Sequence, residues 1–287
     1  MIHRLNVLIA TLWLAFAPAY AQVGQIPGWP PVQVVASSFT PASLSPAWWV
    51  EARNFSTFFQ SSAGTGAAPA SNGDVIGFIP DLSGNSVTLK SAADNATRPT
   101  LAGVGTFPSI TCTATNSTTV FNTTGVNSYN AGAASWFFAI QSNSNSADTY
   151  VASEGNSTAL NTIYSIAYVN SLTATVLSGF IRNSSSSILL PQTQNLQAGV
   201  FNGSNHVFGI IDNGTSVTPY LDGVAGTPFT YTARTGTLTT DRFALCALVR
   251  SSGSGFWNGS IYAGVVVNRV LTSTEISNLT SYLSALY

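Results

Sequence analysis

Hydrolysis of a glycosidic bond is the first chemistry to test, because it needs two carboxylates about 5 to 10 Å apart. The ten acidic residues are Glu51, Asp74, Asp81, Asp94, Asp148, Glu154, Asp212, Asp222, Asp241 and Glu275. No two of them stand two residues apart, the spacing that directs both side chains from one strand into a cleft. The sequence therefore predicts a protein that is not an enzyme, and polysaccharide degradation is the third of three functional hypotheses.

The sequence offers few histidines for catalysis or metal binding. His3 lies in a predicted signal peptide, which leaves His206 as the one histidine of the predicted mature chain. A Ser–His–Asp triad, a lyase base or a His/Cys zinc site would each need histidine with close partners. His206 opens a predicted strand, and we expect it to be partly buried and bonded to a turn.

Calcium is the metal that these residues favour, because it binds carboxylate, amide and backbone oxygens at the rims of β-sandwiches. The candidate ligands are Asp81 with Asn85, and Asp212 with Asn213. Each pair also lies in a predicted turn, where Asp and Asn accept hydrogen bonds from their own backbone. Both interpretations stay open, and no cofactor other than calcium is predicted.

Carbohydrate binding would use an exposed aromatic ring beside amide side chains that hydrogen-bond sugar hydroxyls. Trp257 and Asn258 lie together in a loop rich in Gly and Ser, which makes them the candidate ligand-binding residues. The alternative is that Trp257 fills an aromatic position before the closing strand. Trp48 and Trp136 lie within predicted strands, where core packing is the expected role.

The two cysteines, Cys112 and Cys246, each lie within a predicted strand. A disulfide between them is permitted in an exported chain and would add about 4 kcal/mol in the chain-entropy model. The alternative is two buried thiols that pack as small apolar groups. The sequence leaves both possibilities open.

The first residues predict export. Arg4 precedes an apolar run that ends in Ala19-Tyr20-Ala21, a pattern typical of a signal-peptidase site. We expect residues 1–21 to be a signal peptide, 22–38 a proline-rich lead-in and 39–287 one folded domain, secreted or held in the periplasm or at the cell surface. No membrane span is expected after cleavage. Charged residues are 7% of the chain and the formal net charge is −1, which favours neither nucleic acid nor anionic lipid as a partner.

After the lead-in, the chain alternates short β-branched and aromatic runs with clusters of Gly, Asn, Ser and Pro, a pattern that predicts many short strands. An Asp-Asn-Gly corner at 212–214 and an Asp-Gly pair at 222–223 predict a hairpin. A single helix is predicted near the end, where Thr272 and Glu275 form a capping box before an apolar stripe. The predicted strands are 48–52, 109–113, 135–141, 163–170, 175–182, 206–212, 217–222, 243–249 and 260–268.

Several stretches resemble the laminin-G-like, concanavalin A-like jelly rolls of bacterial exported proteins and phage structural proteins. They are residues 44–52, the Asp-Leu-Ser-Gly-Asn turn at 81–85, the hairpin 206–223 that ends in Tyr-Leu-Asp-Gly, the strand 256–262, and 271–276. The resemblance spans almost the whole predicted mature chain in order. It implies an all-β, two-sheet antiparallel jelly-roll sandwich with a short C-terminal helix.

That family includes adhesion modules, carbohydrate-binding modules and structural subunits, so the fold does not choose among them. We expect a non-catalytic recognition or adhesion module whose partner is an extracellular glycan or a surface protein. The alternative is a structural subunit of a surface or particle assembly. The sequence does not indicate the oligomeric state.

Overall fold

Short β-branched and aromatic runs form strands along nearly all of the described chain. The computed structural model describes residues 39–91, 98–113, 120–121, 125–143, 147–159, 162–249 and 253–287. The predicted signal peptide and lead-in lie outside these residues. Residues Phe39–Tyr287 form a compact unit.

The described residues contain nineteen strands, an α-helix and two short 3₁₀ helices, Pro41–Leu44 and Ala52–Thr57. In chain order the strands are β1 (Trp48–Glu51), β2 (Phe78–Ile79), β3 (Leu89–Ser91), β4 (Thr100–Ala102), β5 (Ser109–Cys112), β6 (Val120–Phe121), β7 (Ala134–Ser142), β8 (Tyr150–Gly155), β9 (Ile163–Val169), β10 (Leu177–Arg182), β11 (Ile188–Leu190), β12 (Asn205–Asp212), β13 (Ser216–Leu221), β14 (Val224–Ala225), β15 (Phe229–Thr230), β16 (Arg242–Leu245), β17 (Leu248–Val249), β18 (Gly253–Ser254) and β19 (Gly259–Val267). The helix α1 is Ser273–Ser284.

Two sheets carry the fold. Sheet 1 has the order β14-β13-β12-β7-β19-β5-β4, with β1 also paired to β19 and β15 to β13. Sheet 2 has the order β11-β10-β9-β8-β16-β6-β3-β2, and β17 with β18 forms a separate small hairpin. Both sheets are antiparallel, so the predicted all-β jelly-roll sandwich with a short C-terminal helix is confirmed.

Aromatic side chains from both sheets interlock in the central core. The Trp136 ring of sheet 1 meets Phe243 and Tyr164 of sheet 2 edge-on, with ring centroids 5.6 Å apart in both pairs. Trp48 meets the same Phe243 at 4.9 Å. Such edge-to-face pairs add about 0.5 to 1.5 kcal/mol each beyond area burial. The strand tryptophans Trp48 and Trp136 are therefore core residues, as expected.

The predicted hairpin and helix are both present. β12 and β13 pair around a corner where Gly214 has φ 90°, and the Asp222-Gly223 turn has φ 50° and 84°, the left-handed pair of a two-residue hairpin loop. Thr272 and Glu275 cap α1 reciprocally, and its apolar stripe packs on the outer face of sheet 1. Among the described residues, no helix is long and apolar enough to cross a bilayer.

One predicted strand is divided in the structure. Residues 243–249 split into β16 and β17, because Cys246 has φ 67°, a left-handed conformation that no continuous strand contains. Its Sγ is bonded to the Sγ of Cys112, which ends β5. The disulfide therefore joins sheet 2 to sheet 1, with Cα atoms 6.1 Å apart and a sequence separation of 134 residues.

Loss of this disulfide will destabilise the domain strongly. Closing a loop of 134 residues contributes about 5 kcal/mol in the chain-entropy model. We expect the Cys112→Ala/Cys246→Ala variant to lose about 3 to 5 kcal/mol of unfolding free energy in urea titrations. Reductant should destabilise the native chain similarly and leave the double variant unchanged. Equal stability of native chain and variant would contradict the prediction.

Candidate functional site

The prediction that Trp257 offers an exposed ring face is wrong. The residue is 0% exposed and belongs to the central core. Glycine at 259 makes room for it, since a Cβ there would lie 2.4 Å from Trp257 Cη2. A buried ring cannot stack on a sugar, so Trp257 fills the core position that the sequence offered as its alternative role.

Asn258, the second predicted ligand residue, lies beside the end of β7. Its backbone carbonyl accepts the Asn143 N–H at 3.0 Å, and its side-chain Oδ1 accepts Asn143 Nδ2 at 3.4 Å. The half-buried Asn258 and exposed Asn143 thus tie two loops together at one end of the sandwich.

The candidate calcium ligands Asp81 and Asn85 serve the turn that they occupy. Asp81 Oδ1 accepts the backbone N–H groups of Trp49 (3.1 Å) and Ser83 (2.9 Å), and Oδ2 accepts that of Val87 (3.0 Å). Asn85 donates its amide to the Pro46 carbonyl at 2.8 Å. With both carboxylate oxygens bonded to N–H groups, the turn-capping alternative describes this pair.

Asp212 is also committed to the fold. It is 0% exposed and forms an ion pair with Arg234, while Tyr164 Oη donates to its Oδ2 at 3.0 Å and Tyr231 Oη donates to its Oδ1. A guanidinium already neutralises this carboxylate, and a calcium ion there would be repelled by it. Among the described residues, no group of three or more His, Cys, Asp or Glu side chains could hold a metal ion.

Two further acids are buried and structural. Glu154 on β8 accepts the backbone N–H groups of Val126 (2.7 Å), Asn127 (2.5 Å) and Ser128 (2.9 Å), which fixes the loop before β7. Burial raises the pKa of the Glu154 carboxyl to about 7, against the lowering effect of these hydrogen bonds. Glu51 on β1 bonds the Tyr282 hydroxyl and so anchors α1.

His206 lies in a polar contact at a turn, as expected. Its Nδ1 is 2.8 Å from Asp222 Oδ2, and its Nε2 is 3.2 Å from Asn202 Oδ1. Asp222 Oδ1 also accepts the Val207 N–H at 2.9 Å. The histidine therefore holds the Asp222-Gly223 turn against the start of β12.

A polar cluster that the sequence did not reveal lies where β8 begins and β9 ends. We name Asp148, Tyr150, Tyr168 and Gln192 the loop-end cluster. Gln192 Nε2 lies 3.0 Å from Asp148 Oδ1, 3.0 Å from Tyr168 Oη and 3.4 Å from Tyr150 Oη, and Tyr168 Oη also donates to Asp148 Oδ1. The exposed Asp148 and half-buried Gln192 thus stand above two tyrosine hydroxyls.

Strand pairing and tight loops position this cluster. Tyr150 and Tyr168 are cross-strand neighbours on β8 and β9, with ring centroids 4.5 Å apart. The carbonyl of Gln192 accepts the Ser171 N–H at 3.2 Å, which fixes the loop after β11 to the loop after β9. Asp148 has φ 69°, a conformation that Asp tolerates better than most residues. The cluster therefore rests on the hydrogen-bonded ends of two interior strands of sheet 2.

The loop-end cluster escaped sequence analysis because its members are distant in sequence and form no motif. Asp148 and Gln192 are 44 residues apart. Tyr150 and Tyr168 lie on either side of the β8–β9 connection, which could have indicated a cross-strand pair. The register of these two strands includes β-bulges, so the sequence alone does not show that the two residues are neighbours.

No family model matches the chain, and no curated protein matches it. The fold is similar to a structure of botulinum neurotoxin type C, which depends on interaction with two ganglioside molecules to enter cells; the TM-score is 0.52 at 15% identity, over 71% of this chain and 48% of that chain. A second is the CBM40 of the Ruminococcus gnavus IT-sialidase bound to alpha2,3 sialyllactose, with TM-score 0.39 and 15% identity, over 52% of this chain and 82% of that chain. This chain thus spans about half of the neurotoxin chain. At 15% identity the likeness to the neurotoxin structure shows the fold alone, and membership of the laminin-G-like family stays a prediction.

Removing the charge of Asp212 will lower the unfolding free energy far more than removing the charge of an exposed acid. Asp212→Asn leaves the Arg234 guanidinium buried without its carboxylate, which costs about 3 to 5 kcal/mol. Glu275→Gln, in the exposed pair with Arg269, should cost less than about 1 kcal/mol. Urea unfolding followed by tryptophan fluorescence measures both, and comparable losses would contradict the assigned role of Asp212.

The raised pKa of the Glu154 carboxyl predicts that the unfolding free energy falls as pH rises. Its folded-state pKa of about 7 lies above the ordinary unfolded value, so the folded chain retains a proton that the unfolded chain has released. The stabilisation is complete below about pH 4.5 and is lost as pH rises through 7, a difference of about 3 kcal/mol. Urea titrations at pH 5 and pH 8 should show this fall, and Glu154→Gln should flatten it. A rise in stability over this range would show that the carboxylate is ionised in the fold.

Proposed function

We propose that this protein is an exported recognition module and that the loop-end cluster binds a sugar of an extracellular glycan. The observation that carries the proposal is the exposed Asp148 carboxylate beside the Gln192 amide, held together at 3.0 Å. Carboxylates and amides on a rigid frame are the groups that fix sugar hydroxyls in binding sites.

The hydrogen bonds of the cluster leave two acceptor oxygens without a donor from the described chain. Within the described residues, the Asp148 Oδ2 and Gln192 Oε1 oxygens have no protein donor, because the contacts of this pair use Asp148 Oδ1 and Gln192 Nε2. Sugar hydroxyls donate to such oxygens, and a hydrogen bond to a charged carboxylate contributes about 1.5 to 3 kcal/mol. One sugar spanning both oxygens would satisfy them.

The two tyrosine side chains of the cluster are held in place by burial. Tyr150 and Tyr168 are 4% and 0% exposed, so binding does not have to immobilise them. The neighbouring turn after β9 presents Leu172, which is 76% exposed, as apolar surface. A site that is ordered before binding loses little conformational entropy, which favours affinity.

Export is supported by the disulfide and by the predicted signal peptide. A disulfide between Cys112 and Cys246 persists in oxidising compartments and is rare where thiols are kept reduced. The fold is shared with a neurotoxin structure that depends on gangliosides, but a shared fold does not transfer a ligand. The chemistry of the loop-end cluster is what supports the glycan.

A glycan array probed with purified residues 22–287 tests the proposal, in calcium and in EDTA. We expect a selective signal that Asp148→Asn and Gln192→Ala each weaken at least about tenfold, from the loss of one charge-assisted or bridging hydrogen bond. Glu275→Gln is the matched control, since it makes the same change of acid to amide on α1 and should bind normally. A blank array, or full binding by Asp148→Asn, would overturn the proposal and favour a protein partner or a structural role.

A further inference from the structure

Four asparagines of the described chain are followed directly by glycine, at 72–73, 202–203, 213–214 and 258–259. In such a pair the glycine nitrogen can attack the asparagine Cγ, because no Cβ on the glycine obstructs the approach. The succinimide ring that forms expels ammonia, so the asparagine is converted without a second protein. The reaction needs a glycine N–H that is not held elsewhere, and an amide oxygen whose developing negative charge is stabilised.

Three of these pairs hold their glycine firmly. The Gly73 N–H donates to the Leu101 carbonyl at 2.8 Å, and the Gly214 N–H donates to Asp212 Oδ1 at 2.8 Å. A hydrogen bond to a carboxylate is among the stronger ones in proteins. Gly259 is buried in β19, between β5 and β7 of sheet 1. Attack at these pairs would first have to break a short hydrogen bond or disturb the sheet.

The pair Asn202-Gly203 is exposed and loosely held. The Gly203 N–H donates to Ser142 Oγ at 3.3 Å, beyond the range of about 2.7 to 3.2 Å that is usual for such bonds. Gly203 has φ 90°, and a Cβ there would meet only the Ser142 carbonyl oxygen, at 4.0 Å, so the backbone has room to move. Among the four glycines, Gly203 therefore has the nitrogen that is most free to attack.

Two donors converge on the side-chain oxygen of Asn202. The Ser204 N–H donates to Oδ1 at 2.8 Å, which fixes the orientation of the amide, and His206 Nε2 lies 3.2 Å from the same oxygen. Because Oδ1 is an acceptor, the ring must present an N–H to it. The other ring nitrogen faces the Asp222 carboxylate at 2.8 Å, which is also an acceptor. Both contacts are complete when both ring nitrogens carry protons, and a cationic donor then adjoins the amide.

We propose that Asn202 modifies itself, with the Gly203 nitrogen displacing the side-chain amide and His206 assisting. The nitrogen bonds to Asn202 Cγ and its proton passes to solvent. Ser204 and His206 stabilise Oδ1 while negative charge develops on it. The Cγ–Nδ2 bond then breaks, and Nδ2 takes up a proton from solvent and leaves as ammonia. Water opens the ring at either carbonyl, which yields aspartate or isoaspartate at position 202.

The product differs from Asn202 in charge and, as isoaspartate, in backbone length. A carboxylate at position 202 gives His206 an acid on each side, since Asp222 already faces its other nitrogen. Isoaspartate adds a methylene to the main chain of a turn whose Gly203 carbonyl accepts Gln141 Nε2 at 3.2 Å. The modification therefore changes both the charge and the geometry of the turn before β12, and it needs no partner.

Peptide mapping of purified residues 22–287 by mass spectrometry, after timed incubation, tests the inference. In the folded chain we expect Asn202 to deamidate at least about tenfold faster than Asn72 or Asn213, whose glycine N–H groups must first be released. In urea the four rates should converge to within about threefold, because the fold no longer holds any of them. Equal rates at Asn202 and Asn213 in the folded chain would overturn the inference.

The nature of the product tests the ring-forming step. The Asn202→Asp variant supplies the aspartate peptide as a chromatographic standard. We expect a second peptide of the same mass, with isoaspartate at position 202, because only ring opening yields it. Aspartate without isoaspartate would show direct hydrolysis of the amide and would overturn the proposed route. Asn202→Gln keeps the amide but lengthens the side chain, so it should abolish the product at this position.

His206→Phe tests the part that the imidazole plays. The change keeps a ring and removes both N–H donors, so the rate at Asn202 should fall at least about threefold. The rates at Asn72 and Asn213 should not change, and they report on folding, because an unfolded variant would show the rates seen in urea. An unchanged rate at Asn202 in the folded variant overturns the role of His206. If the variant does not fold, the comparison of the four sites in the native chain still decides.

Discussion

The guanidinium of Arg234 lies where several parts of the chain must meet. It pairs with the buried Asp212 at the end of β12 in sheet 1 and lies over the ring of Tyr164 in sheet 2, with Cζ 5.1 Å from the centroid. It also donates to the carbonyls of Ser128 and Tyr129, at 3.2 and 2.7 Å. A buried charge is tolerated only with such complete pairing. One side chain thereby connects both sheets and the loop before β7, at the opposite end of β9 from the loop-end cluster.

This arrangement determines which acids are available for function. Asp212, Glu154 and Glu51 are each 1% exposed or less, and each bonds groups that shape the backbone. In a chain with so few charges, the acids serve folding first, because a buried carboxylate must be satisfied to be tolerated at all. Asp148 differs in that it is exposed. We therefore look for a binding site at an acid that solvent can reach.

Sequence patterns predicted the turns and the helix start, because these depend on residues that are close together in the chain. The hairpin 206–223 follows from Asn-Gly and Asp-Gly turn chemistry, and the capping box of α1 follows from residues three apart. The two- and three-residue strands, such as Phe78–Ile79, were not predictable, because so few residues show no period. The break at Cys246 follows from a left-handed backbone that the apolar run around it conceals. The sandwich could be predicted, but not its short edge strands.

The site depended on information that no local pattern contains. Trp257 has the residue type and the loop composition of a sugar platform, yet Gly259 creates the space that buries its ring. Asp148 and Gln192 have neither signal and are joined only when β8, β9, β10 and β11 assemble side by side in sheet 2. Residue type indicates what a side chain can bind, whereas burial decides whether a ligand can reach it. The core of the described sandwich takes up Trp48, Trp136 and Trp257, so a ligand can reach only the side chains that packing leaves exposed, as it does Asp148.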